Sequence, residues 1–402
     1  MTAKEKNANR IAIIAGSFMN MSSMVISAVL ANIKAVFPQE SVGTVQMVLT
    51  IPSLVGMLFA FIAGPMSVKI AKKHLILAGL FLGLVGGALG FFFGPKSLIV
   101  LFISSAFIGV NQGMNGSVTK AVVSDLFSAQ ERDDMMGWQQ AAATGGTIIL
   151  TLCAGLLSGI SWQWSYFIMI LFIPMIFLVQ KNLTPIAPDS AEKGSKAGEG
   201  GKLNGVCAFV AITSFFCFLF LYSYQLNVSL YIQTSKLGTS VTVGYVNTVF
   251  PLAGMLTAFV YGKIKQRLGD KIMQTGMIML ALGFLGIKFV GTLPAVFFAS
   301  FCTGIAQALI IPSAVLIVSQ YAPPSVRATG ISLTMGLLNL GMFVSPFLIN
   351  NIAAAMGGDQ VQVIASKYLI SAIGMIVLAV IYTVLGRVLF QKRNNEKVVS
   401  AT

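Results

Sequence analysis

At charged residues or Gly/Pro punctuation the chain breaks into about twelve long, mostly apolar stretches, and this pattern sets what it can fold into. A helix needs about 20 apolar residues to cross a hydrocarbon layer about 30 Å thick. The stretches fall at 11–37, 44–68, 74–93, 97–123, 136–160, 164–180, 204–232, 240–264, 272–291, 293–320, 328–354 and 368–390. They are too long for barrel strands and lack strict alternation. Composition agrees. Only 9% of the 402 residues are charged and 56% are hydrophobic, with a mean hydropathy of +0.85; a soluble globular chain carries about 25% charged residues. The chain is therefore read as an all-α membrane protein.

Charge supplies an independent test. Lys and Arg number 26 against 12 acids, for a net +14. With the N-terminus in the cytoplasm, only Lys34, Lys96, Lys236, Lys288 and Lys367 fall on the outer side, leaving 21 of the 26 basic residues on or near the inner one. That bias is the positive-inside rule. It predicts a multi-pass protein of the cytoplasmic membrane with both termini cytoplasmic, and makes a nucleic-acid surface unnecessary. MTAKEKNANR leads into the first apolar run without a small-residue cleavage site, so it reads as a cytoplasmic lead.

Residues 181–203, rich in Gly, Ser, Pro and charge, read as a linker between an N-terminal six-helix bundle (1–180) and a C-terminal bundle with a cytoplasmic tail (204–402). The halves repeat each other. GMLFAFIAG at 56–64 matches GMLTAFVYG at 254–262, and the same offset pairs Lys69 with Arg267 and Lys73 with Lys271. A slightly shorter offset pairs Gly109 with Gly304, Gln112 with Gln307, Arg132 with Arg327 and Gly146 with Gly341. Repeats separated by an even number of crossings share an orientation, which predicts a pseudo-two-fold axis along the membrane normal.

Several stretches carry a family likeness: QGMNG at 112–116, SDLFSAQERDDMMGW at 124–138, SWQWSYFIMILFIP at 161–174, and GPMSVKIAKKH at 64–74 with its echo GKIKQRLGDK at 262–271. The sequence resembles the major facilitator superfamily over nearly its whole length, and its text is closest to the drug-exporter branches. The resemblance implies two six-helix bundles about a central cavity, working by alternating access. It also implies a conformational latch at the helix 2–3 loop and its repeat, for which the candidates are Gly64, Lys69, Lys73, Asp125, Arg132, Gly262, Arg267 and Arg327. The signatures are degenerate. Val68 and Gln266 stand where the family's loop has its acid, Gln163 replaces the Arg between two Trp residues, and Ser22 and Gly109 occupy the places of the exporters' helix 1 Asp and helix 4 Arg. The Gly-Pro pair of the antiporter signature falls near Leu150 and Thr151. Arg267 or Lys69 is left to pair with Asp125, Glu131, Asp133 or Asp134, or else these charges serve topology alone.

No acid lies near the middle of any apolar stretch, so the usual buried carboxylate of a proton carrier is missing. The groups left to line a path are uncharged: Asn20, Ser22, Asn111, Gln112, Asn115, Gln139, Tyr222, Gln225, Asn247, Gln307 and Asn339. Each either bonds across helices or meets a solute. Asn111, Gln112 and Asn115 place at least two amides on one helical face. Lys34 and Lys120 are the charged candidates. Lys34, four residues before Pro38, either snorkels outward or faces the cavity, and only the second arrangement implies an anionic solute. Cys153, Cys207, Cys217 and Cys302 read as small core residues, and His74 has no second ligand beside it, so no metal or cofactor is expected. Neither a nucleophile set nor a phosphate-binding loop marks an enzyme. The expectation is a monomeric secondary transporter in the lipid bilayer, with efflux of an amphipathic or hydrophobic small molecule favoured. The alternatives are uptake of a small organic anion and, more remotely, a membrane receptor on a transporter scaffold; the coupling ion is left unassigned.

Overall fold

The computed structural model describes residues 3–185, 204–323 and 327–399; the 181–203 linker lies largely outside them, as does the side chain of Arg327. Twelve helices among the described residues are long and apolar enough to cross a membrane. They are α1 (Lys4–Val36), α2 (Val42–Ser67), α3 (Lys72–Phe92), α4 (Leu98–Leu126), α5 (Asp134–Leu157), α6 (Trp164–Asn182), α7 (Gly205–Thr234), α8 (Ser240–Leu268), α9 (Ile272–Val290), α10 (Leu293–Tyr321), α11 (Thr329–Ala355) and α12 (Gln360–Gly386). Large apolar side chains stand outward on them, Phe259, Phe289 and Ile99 among the most exposed. Water would penalise such a surface and lipid does not. The protein is an integral, multi-pass, all-α membrane protein.

Helix ends follow local chemistry. Ser41 caps α2 by accepting from the Thr44 amide at 3.0 Å. Ser128 and Glu131 form a capping box ahead of α5. Gly291 ends α9 in the left-handed region at φ 66°, where only glycine is unstrained.

Two observed spans differ from those read in the sequence. The α1 helix begins before residue 11 and is broken, helical over Ala3–Phe18 and Val25–Val36 with a 3-10 turn at Ser22–Met24 between them. The α12 helix begins at Gln360, not at 368. Lys367 is consequently not a loop residue on the outer side but a helical one, 3% exposed. One lysine in a long apolar run does not stop a helix whose neighbours bury it.

By contacts the chain divides into two compact units, Met1–Gly194 with Val228–Pro251, and Ser195–Asn227 with Leu252–Thr402. In the first, α4 packs closely on α2 and on α3; in the second, α9 packs on α10 and α12. Glycine sets how near these helices come. A Cβ built on Gly56 would lie 3.3 Å from the Gly109 carbonyl oxygen, and one on Gly254 would lie 3.4 Å from that of Gly304. These are the residues that the two sequence offsets pair. The repeat is thus a repeat of helix crossings, α2 with α4 and α8 with α10.

Candidate functional site

The break in α1 is the most irregular backbone within a span. Residues 19–23 read Met-Asn-Met-Ser-Ser, and short polar side chains compete with the helical ladder for backbone partners. Through the break the amides bond one residue short of α-helical register: Asn20 N to Ser17 O at 3.1 Å, Ser22 N to Met19 O at 3.3 Å and Met24 N to Met21 O at 3.1 Å. Neighbouring helices hold the distortion in place. Asn111 donates from Nδ2 to the Met19 carbonyl at 3.1 Å, and Gly146 of α5 lies so close to the Phe18 carbonyl that a Cβ there would collide with it.

The amide candidates now separate by role. Asn115 donates to Asn111 Oδ1 at 2.6 Å, and Gln139 reaches from α5 to Thr119 at 2.5 Å, so Asn111, Asn115 and Gln139 brace the bundle. Ser23 donates to Gln112 Oε1 at 3.2 Å. The oxygens of Asn20 (Oδ1) and Ser22 (Oγ), by contrast, are buried without a partner at the break itself. Asn115 Oδ1 is also unpartnered, but it is packed against Gly79 of α3, 3.1 Å from the Cβ position there. Gly116 leaves room beside Asn20, since its own Cβ position is 3.4 Å from Asn20 Oδ1. Asn20, Ser22, Ser23 and Gln112 therefore form an uncharged polar patch at an interrupted helix. In transporters, unwound backbone at membrane depth is tolerated where it lines a site.

A second polar cluster occupies the far end of the same unit, where α1 and α5 end and α8 begins. Asn32 Oδ1 accepts from Gln233 Nε2 at 2.9 Å and from the Ser240 hydroxyl. Ser229 donates to the Ala28 carbonyl at 3.0 Å, and Asn247 donates to Ser27 at 3.3 Å. Gly155 and Gly244 meet backbone to backbone. Asn32, Gln233, Ser158, Thr239 and Ser240 help to line a cavity of about 480 Å3 there. Asn247 thus joins this cluster through its amide nitrogen, while its Oδ1 is buried without a partner.

The second unit holds fewer of the candidates in one place. Tyr222 and Gln225 are buried in α7, each 2% exposed. Asn339 donates to the Met335 carbonyl of its own helix at 2.9 Å, and Gln307 is half-buried. A residue that sequence reasoning assigned to topology stands out instead. Lys367 donates from Nζ to Asn227 Oδ1 at 3.1 Å, within the buried interior of this unit. The signal available in the sequence was a lysine followed directly by an apolar run.

The other charges sit at helix ends. Lys34 donates to the Pro38 carbonyl at 3.0 Å in an exposed position, and Lys120 is exposed. Lys72, whose side chain is 3% exposed, pairs with Asp125 at 2.6 Å; Lys6 pairs with Glu131 at 2.8 Å. These pairings involve neither Lys69 nor Arg267, both of which are exposed. Lys73 bonds the Gln180 carbonyl at 2.7 Å and Arg132 the Phe127 carbonyl at 2.9 Å. Gly64 and Gly262 have open space where a Cβ would point. The Lys6 ammonium, followed by the Ser128 hydroxyl and amide, holds the Glu131 carboxyl down to about 2. Among the described residues no three His, Cys, Asp or Glu side chains gather as a metal site would require.

Solved structures share the whole architecture. A bacterial homologue of the human lysosomal transporter Spinster, inward-facing and occupied, aligns with a TM-score of 0.74 at 13% identity, covering 98% of this chain and 99% of that one. A mutant of the nucleoside transporter NupG aligns with a TM-score of 0.76 at 11% identity, covering 93% and 99%. A POT family transporter in complex with 5-aminolevulinic acid aligns with a TM-score of 0.75 at 14% identity, covering 94% and 96%. At such identities the likeness shows the fold. No curated protein matches the sequence significantly. The sequence profile of the Major Facilitator Superfamily, however, matches twice, over residues 11–204 and 205–401. A transporter rather than an enzyme, the chain belongs to the major facilitator superfamily.

Proposed function

We propose that this transporter exports an amphipathic or hydrophobic small molecule bearing hydrogen-bond donors, across the cytoplasmic membrane and by alternating access. The observation that carries the reading is the patch at the α1 break: it is uncharged, and its unpartnered atoms are Asn20 Oδ1, an acceptor, and Ser22 Oγ, a hydroxyl that can accept or donate. A buried acceptor without a donor costs about 1–3 kcal/mol, which a solute's N–H or O–H recovers on binding. Met19, Met21 and Val25, the apolar neighbours of the patch in α1, suit the rest of an amphipathic molecule. Lys34, tied to Pro38 at an exposed helix end, offers no charge to that patch. The export direction draws on the likeness of the text to drug-exporter branches. In this reading the chain works as a monomer of two six-helix halves joined by 181–203, with both termini cytoplasmic, and Lys6–Glu131 and Lys72–Asp125 brace the cytoplasmic side.

Purified protein in liposomes, with pH, sodium and voltage gradients imposed separately, tests this. Flux of lipophilic amines or hydroxylated compounds that falls on Asn20→Ala and Ser22→Ala supports the reading. Flux confined to small organic anions overturns it in favour of the anion carrier, and a folded protein that moves no solute favours a receptor.

A further inference from the structure

We infer that Lys367, Asn227 and Ser223 form a buried binding site for a monovalent anion inside the second unit. Lys367 lies seven residues into α12, and Asn227 lies seven residues before the end of α7. At 1.5 Å per residue both are about 10 Å in from those helix ends. The Lys367 side chain is 3% exposed, and the partner of its Nζ among the described residues is Asn227 Oδ1 at 3.1 Å. An ammonium carries three donors, so two remain to be met, and an amide oxygen does not balance its charge. Buried charges are ordinarily paired or they impose a large desolvation cost.

Ser223 supplies the second observation. It lies one turn before Asn227 on the same helix, and Asn227 Nδ2 donates to its carbonyl at 2.8 Å. A helical serine usually returns its hydroxyl to the carbonyl four residues back. Here that carbonyl, Leu219 O, already takes the Ser345 hydroxyl of α11 at 2.6 Å in addition to its own helical amide. The Ser223 hydroxyl is fully buried and has no partner. Ser223 thus offers a hydroxyl donor one turn from Asn227, the residue that the Lys367 ammonium meets, and a hydroxyl donor with a cation is a usual pairing in an anion site.

The local field agrees. Asp359 is the acid nearest in sequence, eight residues before Lys367, and its carboxylate is occupied by the Gln362 amide at 2.7 Å at the exposed start of α12. Of the helices around it, α7 carries Tyr222, Tyr224, Tyr231, Cys207 and Cys217, α9 carries Lys288, and neither these two nor α11 carries an acid. An inorganic halide and the carboxylate of a solute share the required chemistry. The inference relies on the transporter reading only for the role of the anion in flux, so binding is measured without transport.

The test uses the full-length protein in lipid nanodiscs. Thermal unfolding is followed while potassium sulfate is replaced, at constant ionic strength, by potassium chloride, bromide or acetate. The expected result is a saturable rise in Tm that Lys367→Met removes and that needs about tenfold more anion in Ser223→Ala. A rise with chloride and bromide identifies an inorganic ion, and a rise with acetate alone identifies a solute carboxylate. Should Lys367→Met fail to fold, the Ser223→Ala titration decides. No saturable rise with any of the three salts, or one unchanged in the variants, overturns the inference.

Discussion

The two units make the same helix crossings from different side chains. Gly79 of α3 faces Asn115 of α4, and Gly276 of α9 faces Ile310 of α10. Gly146 of α5 abuts the Phe18 carbonyl, and Gly341 of α11 abuts that of Phe215. Yet α1 breaks just after Phe18 while α7 runs helical through Phe215. The five residues after each phenylalanine supply the reason: Met-Asn-Met-Ser-Ser in α1, Phe-Cys-Phe-Leu-Phe in α7. Polar side chains compete for the ladder and bulky apolar ones do not. At the position where Asn111 steadies the freed Met19 carbonyl, the repeat offset places Ala306. Common backbone geometry therefore carries a polar, interrupted interior in one unit and a continuous apolar one in the other, where the polar groups move to Ser223, Asn227 and Lys367.

Substitutions can break that comparison. The largest effect is expected where the crossings are tightest: Gly146→Val and Gly341→Val should each destabilise by about 3 kcal/mol through backbone collision, and by similar amounts in the two units. Thermal unfolding of each variant checks the equivalence, and a tolerant Gly341→Val would refute it. Next comes Asp125→Asn, which removes the carboxylate paired with the buried Lys72 ammonium; a loss of about 2 kcal/mol is expected, discounted because Asp125 is one-third exposed, and Lys72→Met in the same chain should restore part of it.

Smaller effects separate brace from site within the first unit. Asn111→Ala, which leaves the Met19 carbonyl with the Ser22 amide alone and takes the acceptor from Asn115, should cost about 1–2 kcal/mol in stability. Asn20→Ala should leave stability within about 0.5 kcal/mol and weaken solute binding about tenfold; equal stability losses for the two would erase the distinction. The smallest effect is electrostatic. Glu131 is held at about 2 in the folded chain, below its ordinary value, so its pairing stabilises above the unfolded-state value near 4.3 and is lost as pH falls from there towards about 2. An acid titration of stability should be shallower over that window in Lys6→Ala than in the parent protein.

The spans, the cationic bias and the repeat were legible in the sequence because each depends on chemistry summed along one helix or one loop. The site was only partly so. Asn20 and Ser22 stood among eleven uncharged candidates, and nothing local separated them from Asn111 or Asn115, whose amide nitrogens donate to groups that folding brings within reach. By sequence Lys34 and Lys367 both fall on the outer side, and only Lys34 is a cavity candidate. The first reaches its own helix's terminal Pro38 carbonyl, a local event; the second is buried because Asn227, 140 residues away in sequence, meets it. Lys69 and Arg267 were reasonable partners for Asp125 by repeat position, but Lys72, three residues further on at the start of α3, is buried and takes it.

By itself, then, the sequence determined a membrane protein of about twelve spans in a twofold repeat, since solvent preference and helical length are additive along the chain, and its motifs carried the family likeness. Tertiary structure alone decided which polar atoms are spent and which remain. A carbonyl has a fixed number of lone pairs and an ammonium three protons, and whether they are already used depends on helices that only folding brings together.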